Sequence, residues 1–322
     1  MNYQPGWWIR NRHFQSIYPA LFRKLKDDLL VRERINTPDN DFLDLDWVKS
    51  NNKRLVILTH GLEGHSRRPY ILGMAKAAHD ANWDALAWNF RACSGEPNKH
   101  LPSYHSGATN DLECVIEHAL THDYDEIALI GFSIGGNKTL IHLGKNSEKL
   151  AQQIIGAVVF SVPCDLVSTS ENLARPVNKL YMKNFLTSLE QKLKQKKAHY
   201  PKEVDLTGFS KIKDFHAFDG KYTAPMHGFN SAEDYWRKSS SKQYIKAISR
   251  PTLMVSAVDD PFLTPECFPH EIVAKNKHVI LETPKHGGHV GFIQFNKQKK
   301  YWSEQRAIDY LNSLSKLNNH TR

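Results

Sequence analysis

The feature that most constrains the fold of this chain is the alternation of short apolar segments with helical patterns. Six segments rich in aliphatic and β-branched residues are RLVILTH (54–60), ALAWNF (85–90), EIALIGF (126–132), IIGAVVFSV (154–162), TLMVSAV (252–258) and HVILETP (278–284). They are apolar at nearly every position, which is typical of strands covered on both faces. Because segments with helical spacing separate several of them, the pattern predicts an α/β protein with a mostly parallel sheet and helices on both faces.

Two regions depart from this alternation. Residues 29–49 read as two strands joined by a turn at Thr37–Asn40, which predicts an antiparallel start to the sheet. Residues from about 165 to 250 show no strong strand pattern and are helical, basic and aromatic. A helical insertion of this kind is expected to cover the carboxyl ends of the strands, where open α/β sheets hold their ligands. We therefore predict a single domain over residues 1–322 with a helical cap at about 165–250.

A serine lies between two glycines at the point where one predicted strand gives way to a helix. Gly131-Phe132-Ser133-Ile134-Gly135 matches the G-x-S-x-G pattern, in which the serine occupies a sharp, strained turn. A side chain at either outer position would clash with neighbouring backbone, so glycine is used there. The Ile134 amide, at the start of the helix, is a predicted donor to an oxyanion. The alternative is a glycine-rich turn without a catalytic role.

Candidates for the other members of a catalytic triad follow the serine along the chain, the acid first and the histidine second. A serine nucleophile needs a histidine base that is oriented by a carboxylate. Asp259 and Asp260 follow one predicted strand, and His286 and His289 follow the next. The proline and apolar residue after Asp260 favour it as the acid, with Asp259 as the alternative. The glycines around His289 favour it as the base, so the predicted triad is Ser133, Asp260 and His289.

Further candidates lie in the loops that follow the earlier strands. The loop HGLEGHSRRPY (60–70) is expected to supply a second oxyanion donor, the amide of Leu62. Glu63 and His65 in this loop, together with Arg91 and His105, are expected to contact the substrate. Arg91 and His105 also have a structural alternative, in which they brace the loops around the serine turn.

Aromatic residues are frequent in the predicted cap. They are consistent either with a pocket for the acyl group or with the core of the cap itself. The six concerned are Tyr181, Phe185, Phe215, Phe218, Phe229 and Trp236.

Several motifs together resemble a known family. HGLEGHSRRPY, WNFRACSGEPN, YHSGATNDL, GFSIGGN, DDPF and HGGHVGF, in this order between about Trp8 and Trp302, resemble the YheT-like hydrolases, a branch of the α/β-hydrolases. The resemblance implies an α/β-hydrolase fold with a helical cap, a triad of Ser133, Asp260 and His289, and cleavage of acyl or lipid esters without a cofactor or metal. Bacterial members of this branch look cytosolic, while eukaryotic relatives tend to have a membrane anchor. We therefore expect a cytoplasmic carboxylic-ester hydrolase.

The formal net charge of +9 indicates either an ordinary solvated surface or attraction to an acidic partner. There is no zinc-finger spacing and no RNP-type aromatic motif, so we expect no nucleic-acid partner. Residues 178–197 read as a basic amphipathic helix, which leaves open a peripheral contact between the cap and a membrane. No apolar run reaches the length of roughly 18 residues that a membrane-spanning helix needs.

Four widely spaced cysteines without a C-x-x-C pair predict neither a disulfide framework nor a zinc site.

The same triad would also serve a thioesterase or an enzyme that transfers the acyl group to an alcohol. A hydrolase scaffold without activity, which binds an anionic partner through the cap, is the alternative of another class.

Overall fold

The computed structural model describes residues 3–320, and within this range the chain forms an eight-stranded sheet. The strands are β1 (Val31–Asn36), β2 (Phe42–Val48), β3 (Arg54–Thr59), β4 (Asp84–Trp88), β5 (Glu126–Phe132), β6 (Ile154–Phe160), β7 (Thr252–Val255) and β8 (Val279–Glu282). Their order across the sheet is β1-β2-β4-β3-β5-β6-β7-β8. Strand β2 pairs antiparallel with β1 and β4, and all other neighbours are parallel. The predicted α/β architecture, with its antiparallel start, is confirmed.

Helices lie on both faces of the sheet and over its carboxyl edge. Those in the described residues are α1 (Arg12–Phe22), α2 (Pro69–His79), α3 (Asn110–Leu120), α4 (Ile134–Lys145), α5 (Leu166–Leu173), α6 (Lys179–His199), α7 (Phe215–Phe218), α8 (Ala224–Met226), α9 (Ala232–Ser239), α10 (His270–Val273) and α11 (Trp302–His320). None of these helices combines the length and the hydropathy needed to cross a membrane.

Strand β3 shows why the central strands are apolar at every position. Leu55 and Ile57 pack into a core cluster with residues of α3 and α4. Val56 and Leu58 point the other way and pack with residues of α2 and α11. Because both faces of the sheet are covered by helices, alternate side chains enter two different cores and both must be apolar.

The turn between β5 and α4 places Ser133 in a conformation that residues with side chains rarely adopt, with φ of 54° and ψ of −124°. The flanking glycines allow tight packing around it. A Cβ on Gly131 would lie 2.6 Å from a backbone carbon in the first turn of α4, and one on Gly135 would overlap the carbonyl oxygens of Thr59 and His60. The glycines are therefore required by the approach of β3 and α4 to the turn.

The segment between β6 and β7 contains helices α5 to α9 and no strand within the described residues. Its apolar side chains form a core cluster of their own, which includes Leu186, Phe215 and Trp236. Phe262, which follows β7, packs into this cluster. The helical segment therefore lies against the carboxyl edge of the sheet, on the side where Ser133 is located.

We expect Gly135→Ala to destabilise the protein by at least about 1–3 kcal/mol, because the new methyl group meets backbone atoms that cannot move aside without distorting β3. Thermal unfolding of the variant beside the wild type measures this loss. Gly220→Ala is the matched control, since the methyl group added there would have open space around it to a distance of 4 Å. Equal melting temperatures for Gly135→Ala and the wild type would contradict the packing described for this turn.

Candidate active site

Three side chains from different strand ends form a continuous hydrogen-bonded line. The Ser133 hydroxyl lies 2.9 Å from Nε2 of His289, and Nδ1 of His289 lies 2.8 Å from Oδ2 of Asp260. Asp260 is buried, and its other oxygen accepts a hydrogen bond from the Phe262 amide at 2.9 Å. The carboxylate thus holds the imidazole with Nδ1–H as donor, which leaves Nε2 free to accept the serine proton.

A second aspartate–histidine pair lies beside the first. Oδ2 of Asp259 lies 3.2 Å from Nδ1 of His286, and its Oδ1 accepts a hydrogen bond from the Gly288 amide at 2.9 Å. Burial raises the pKa of the Asp259 carboxyl. This pair does not reach Ser133; instead it fixes the loop that leads to His289. The structure therefore brings Asp260 and His289 to the serine and gives Asp259 and His286 a bracing position.

Two serines that the sequence patterns did not single out hold the histidine loop. The backbone N–H of His289 donates to Oγ of Ser16 at 2.8 Å, and that of Val290 donates to Oγ of Ser161 at 2.9 Å. Ser16 belongs to α1, 273 residues away along the chain. No local pattern around Ser16 points to this contact, because it depends on how α1 packs in the folded protein.

The predicted oxyanion donors are the backbone amides of Leu62 and Ile134. Both residues line the same cavity as Ser133. The loop before Leu62 approaches the serine so closely that a Cβ on Gly61 would lie 3.2 Å from that of Ser133. Neither amide has a protein acceptor within the described part of the chain. Both N–H groups are therefore available to a substrate oxygen.

His60 holds this loop against the end of β4. Its Nδ1–H donates to the carbonyl of Gly61 at 2.8 Å, and its Nε2 accepts from the amide of Phe90 at 3.0 Å. Burial lowers the pKa of His60 to about 3. The ring is thus a neutral structural link between two loops and has no proton-transfer role in this arrangement.

Glu63 lines the cavity, but its carboxylate already has protein partners. It accepts hydrogen bonds from the Tyr104 hydroxyl at 2.6 Å and from Nζ of Lys192 at 2.8 Å. The Glu63 backbone has a positive φ of 53°. Because Lys192 belongs to α6, this buried ion pair ties the cap directly to the loop that carries Leu62.

The cavity above Ser133 is closed mainly by apolar side chains of the helices between β6 and β7. Helix α5 contributes Leu166 and Leu173, and α6 contributes Leu189 and Leu193. Four of the six cap aromatics that the sequence analysis singled out also line it: Phe185, Phe215, Phe218 and Trp236. The other two, Tyr181 and Phe229, pack against the cap core.

The remaining candidates for substrate contact lie in three different environments. His105 lines the cavity with Ser133. His65 lines a neighbouring cavity instead, together with Arg67 and Cys93. Arg91 lies outside both of these cavities, which corrects its assignment to the pocket. Its guanidinium is held by three carboxylates, at 2.6 Å from Asp39, 2.8 Å from Asp111 and 3.3 Å from Asp41, so its role is the bracing one.

A few polar groups interrupt the apolar lining. His105 and His227 face each other with ring centroids 4.6 Å apart, and burial lowers the pKa of His227 to about 4. Asp219 is buried and accepts hydrogen bonds from Thr223 at 2.6 Å and from the Trp236 indole at 2.7 Å. Burial raises the pKa of Asp219 to about 6.

Within residues 3–320, no group of three or more His, Cys, Asp or Glu side chains is arranged to hold a metal ion.

The raised pKa of Asp219 predicts a pH-dependent contribution to stability. Between about pH 4 and pH 6 the unfolded state ionises first, so the free energy of unfolding falls as the pH rises through this range. Relative to Asp219→Asn, the wild type should lose roughly 2–3 kcal/mol over this window and change little above it. Urea unfolding across a pH series measures the difference. Asp28→Asn, which removes an exposed carboxylate, is the control, and a flat difference for Asp219→Asn would contradict the assignment.

The amino-acid sequence is similar to those of known hydrolases. A family model described as "alpha/beta hydrolase fold" matches residues 54–295. "Putative esterase YheT" of Escherichia coli is 33% identical over 94% of this chain and 90% of its own length. Human "Phospholipase ABHD3" is 30% identical over 91% of this chain and 74% of its own length.

Solved structures share the same architecture at lower sequence identity. The Pyrococcus furiosus esterase Pf2001 matches with a TM-score of 0.60 and 19% identity, covering 92% of this chain and 98% of its own. Est1E from Butyrivibrio proteoclasticus, solved with ferulic acid bound, matches with a TM-score of 0.55 and 15% identity, covering 88% and 98%. At these identities the likeness concerns the fold.

Proposed function

Because the chain belongs to the α/β-hydrolase fold family, within its YheT-like branch, we propose that it is a serine esterase that acts through a covalent acyl-enzyme. The observation that carries this proposal is the hydrogen-bonded line from Ser133 through His289 to Asp260 at the base of an apolar cavity. The relatives described as an esterase and a phospholipase belong to classes of enzyme that cleave esters.

The first half of the proposed reaction forms the acyl-enzyme. The Ser133 hydroxyl attacks the ester carbonyl while Nε2 of His289 takes its proton. Asp260 accepts a hydrogen bond from Nδ1–H and stabilises the imidazolium that results. The Leu62 and Ile134 amides donate to the oxyanion of the tetrahedral intermediate, where their stabilisation is largest because water is excluded. Collapse of the intermediate expels the alcohol, which receives the proton from His289.

The second half releases the acid. A water molecule takes the place of the alcohol, and His289 removes one of its protons as the oxygen attacks the acyl carbonyl. The same two amides stabilise the second oxyanion, and Ser133 recovers its proton when the ester bond breaks. Every step uses protein groups and water alone, so the proposed reaction requires no cofactor or metal.

The apolar side chains that line the cavity support an ester with an apolar acyl group as the substrate. On the cap side its lining includes leucine and phenylalanine side chains of α5, α6 and α7, which favour burial of hydrocarbon. The buried Lys192–Glu63 pair lies at the boundary between this cavity and the neighbouring one. We therefore assign the acyl chain to the cap side and expect short or medium chains to be accepted.

The test of the proposal is hydrolysis of p-nitrophenyl esters of graded acyl length by the wild type and by Ser133→Ala. We expect kcat of the variant to fall by several powers of ten, because the nucleophile, base and acid act as a unit. Ser210→Ala, an exposed serine, is the control and should retain full activity. Hydrolysis that survives in Ser133→Ala would contradict the proposed mechanism.

If the wild type hydrolyses none of these esters, the next measurement is chemical labelling of Ser133. A small fluorophosphonate should then label Ser133, since its reaction needs the activated hydroxyl but little room in the pocket. Labelling without turnover would mean that the cap excludes the esters used. If labelling and turnover were both absent, the result would favour a scaffold that binds a partner without catalysis.

The two neighbouring aspartates provide a matched pair for the acid. Asp260→Asn should lower kcat by roughly 10³–10⁴, because the amide no longer stabilises the required tautomer or the imidazolium. Asp259→Asn removes a carboxylate of the same size one residue away, which contacts His286 instead. We expect Asp259→Asn to change kcat less than about tenfold. The reverse order of the two effects, measured by steady-state ester hydrolysis, would transfer the acid role to Asp259.

A further inference from the structure

Helix α1 carries its apolar side chains on the face that is turned to solvent. The buried residues of this helix are Gln15 and Pro19, whereas Leu21 is 65% exposed and Phe22 is 64% exposed. A helix that packs on its own protein normally buries its apolar side. We call this side the outer face of α1; it consists of the exposed Phe14, Ile17, Leu21 and Phe22 and the half-buried Tyr18 between them.

Aromatic contacts join the outer face to neighbouring segments in one continuous surface. Tyr18 packs between Phe14 and Phe22, with ring centroids 5.0 and 5.1 Å apart. Phe295 contacts Tyr18 at 5.8 Å and stacks on Trp8 at 5.2 Å. Single exposed apolar residues are normal on a soluble protein, but a contiguous apolar surface marks a site of interaction.

The segments that form this surface are basic and contain no acidic residue. Residues 3–26 contain five Arg or Lys and no Asp or Glu, and residues 293–300 contain three Lys and no acid. Arg23 pairs with Glu304, while Arg10, Arg12, Lys24 and Lys26 are exposed, as is Lys297. Aromatic and aliphatic side chains bordered by cations are typical of helices that lie in the plane of a membrane.

The start of α6 continues the surface on its other side. Val177 and Leu180 are exposed there, and residues 172–183 again contain Arg and Lys but no acidic residue. Nδ1 of His13 in α1 lies 3.1 Å from the hydroxyl of Tyr181 in α6. The apolar residues later in α6, including Leu186 and Leu193, are buried in the cap, so only its first turn belongs to this surface.

We propose that the outer face of α1 docks on an anionic lipid bilayer. Its apolar side chains would lie among the lipid headgroups while the arginines and lysines contact lipid phosphates. A second copy of the chain is a less suitable occupant of the face. A twofold axis would bring the basic segments of both copies together without carboxylates to pair with them.

Docking through this face would bring the proposed active site close to the bilayer. The opposite side of α1 packs on the histidine loop, where the His289 amide donates to Ser16. The docking proposal itself does not require turnover, so its test and that of the esterase fail independently.

The test is sedimentation of the full chain with vesicles of phosphatidylcholine alone and with vesicles that also contain an equal amount of phosphatidylglycerol. We expect binding to the anionic vesicles that weakens at about 0.5 M salt. The Leu21→Ser/Phe22→Ser variant should bind at least about tenfold more weakly, because it removes two inserting side chains. Val31→Ser/Ile280→Ser, which changes two exposed apolar residues on the edge strands, should bind like the wild type.

A second pair of variants separates this surface from the overall charge. Lys24→Gln/Lys26→Gln should weaken binding by roughly tenfold or more. Lys202→Gln/Lys211→Gln removes the same charge from the cap and should have little effect. Thermal unfolding establishes that each variant is folded.

Three results would overturn the proposal. The first is a wild type that does not sediment with anionic vesicles. The second is a control variant in each pair that loses as much binding as the variant of the docking surface. Alternatively, light scattering would show a dimer that Leu21→Ser/Phe22→Ser converts to a monomer, without any vesicle binding, which would assign the face to a second copy.

Discussion

The strained turn at Ser133, with its positive φ, determines where the other groups of the site can lie. Its amide donates to the carbonyl of Phe160 at 2.9 Å, which anchors the turn to β6. The loop after β3 packs on the other side, and a Cβ on Gly61 would lie only 3.2 Å from that of Ser133. That loop carries the Leu62 amide, and the residue after β6 holds the loop of His289. A single strained turn thus brings the nucleophile, an oxyanion donor and the base to one point, and close backbone packing sustains the strain.

The helical cap is part of this site and does more than cover it. The Phe262 ring lies 4.2 Å from the His289 ring and also belongs to the cap core. The ion pair between Lys192 and Glu63 joins α6 to the loop that carries Leu62 in a buried environment. Such a pair adds little net stability, but separating it leaves an unpaired buried charge. The pair therefore disfavours displacement of α6 from the loop that carries Leu62.

Much of the fold and the central residues of the site follow from sequence patterns. Strands such as β3 are recognisable because both faces are buried, and Asp260 and His289 because catalytic residues of parallel sheets collect after successive strands. What local patterns do not contain is the direction of a side chain in a loop. Arg91 follows a strand like the others, yet three carboxylates hold it outside the pocket. Ser16 and Lys192 were not predicted, because their contacts join segments distant in sequence, and the reversed polarity of α1 appears only when its packing is known.

The proposed mechanism requires the hydroxyl of Ser133 to become covalently acylated during turnover. The most direct measurement is mass spectrometry of the protein after brief reaction with p-nitrophenyl acetate and an acid quench, followed by peptide mapping. We expect one acetyl group on the peptide that contains Ser133, present in the wild type and absent from Ser133→Ala. Ester turnover with no acetyl group on Ser133, or with the group on another residue that tracks activity, would contradict the proposed mechanism.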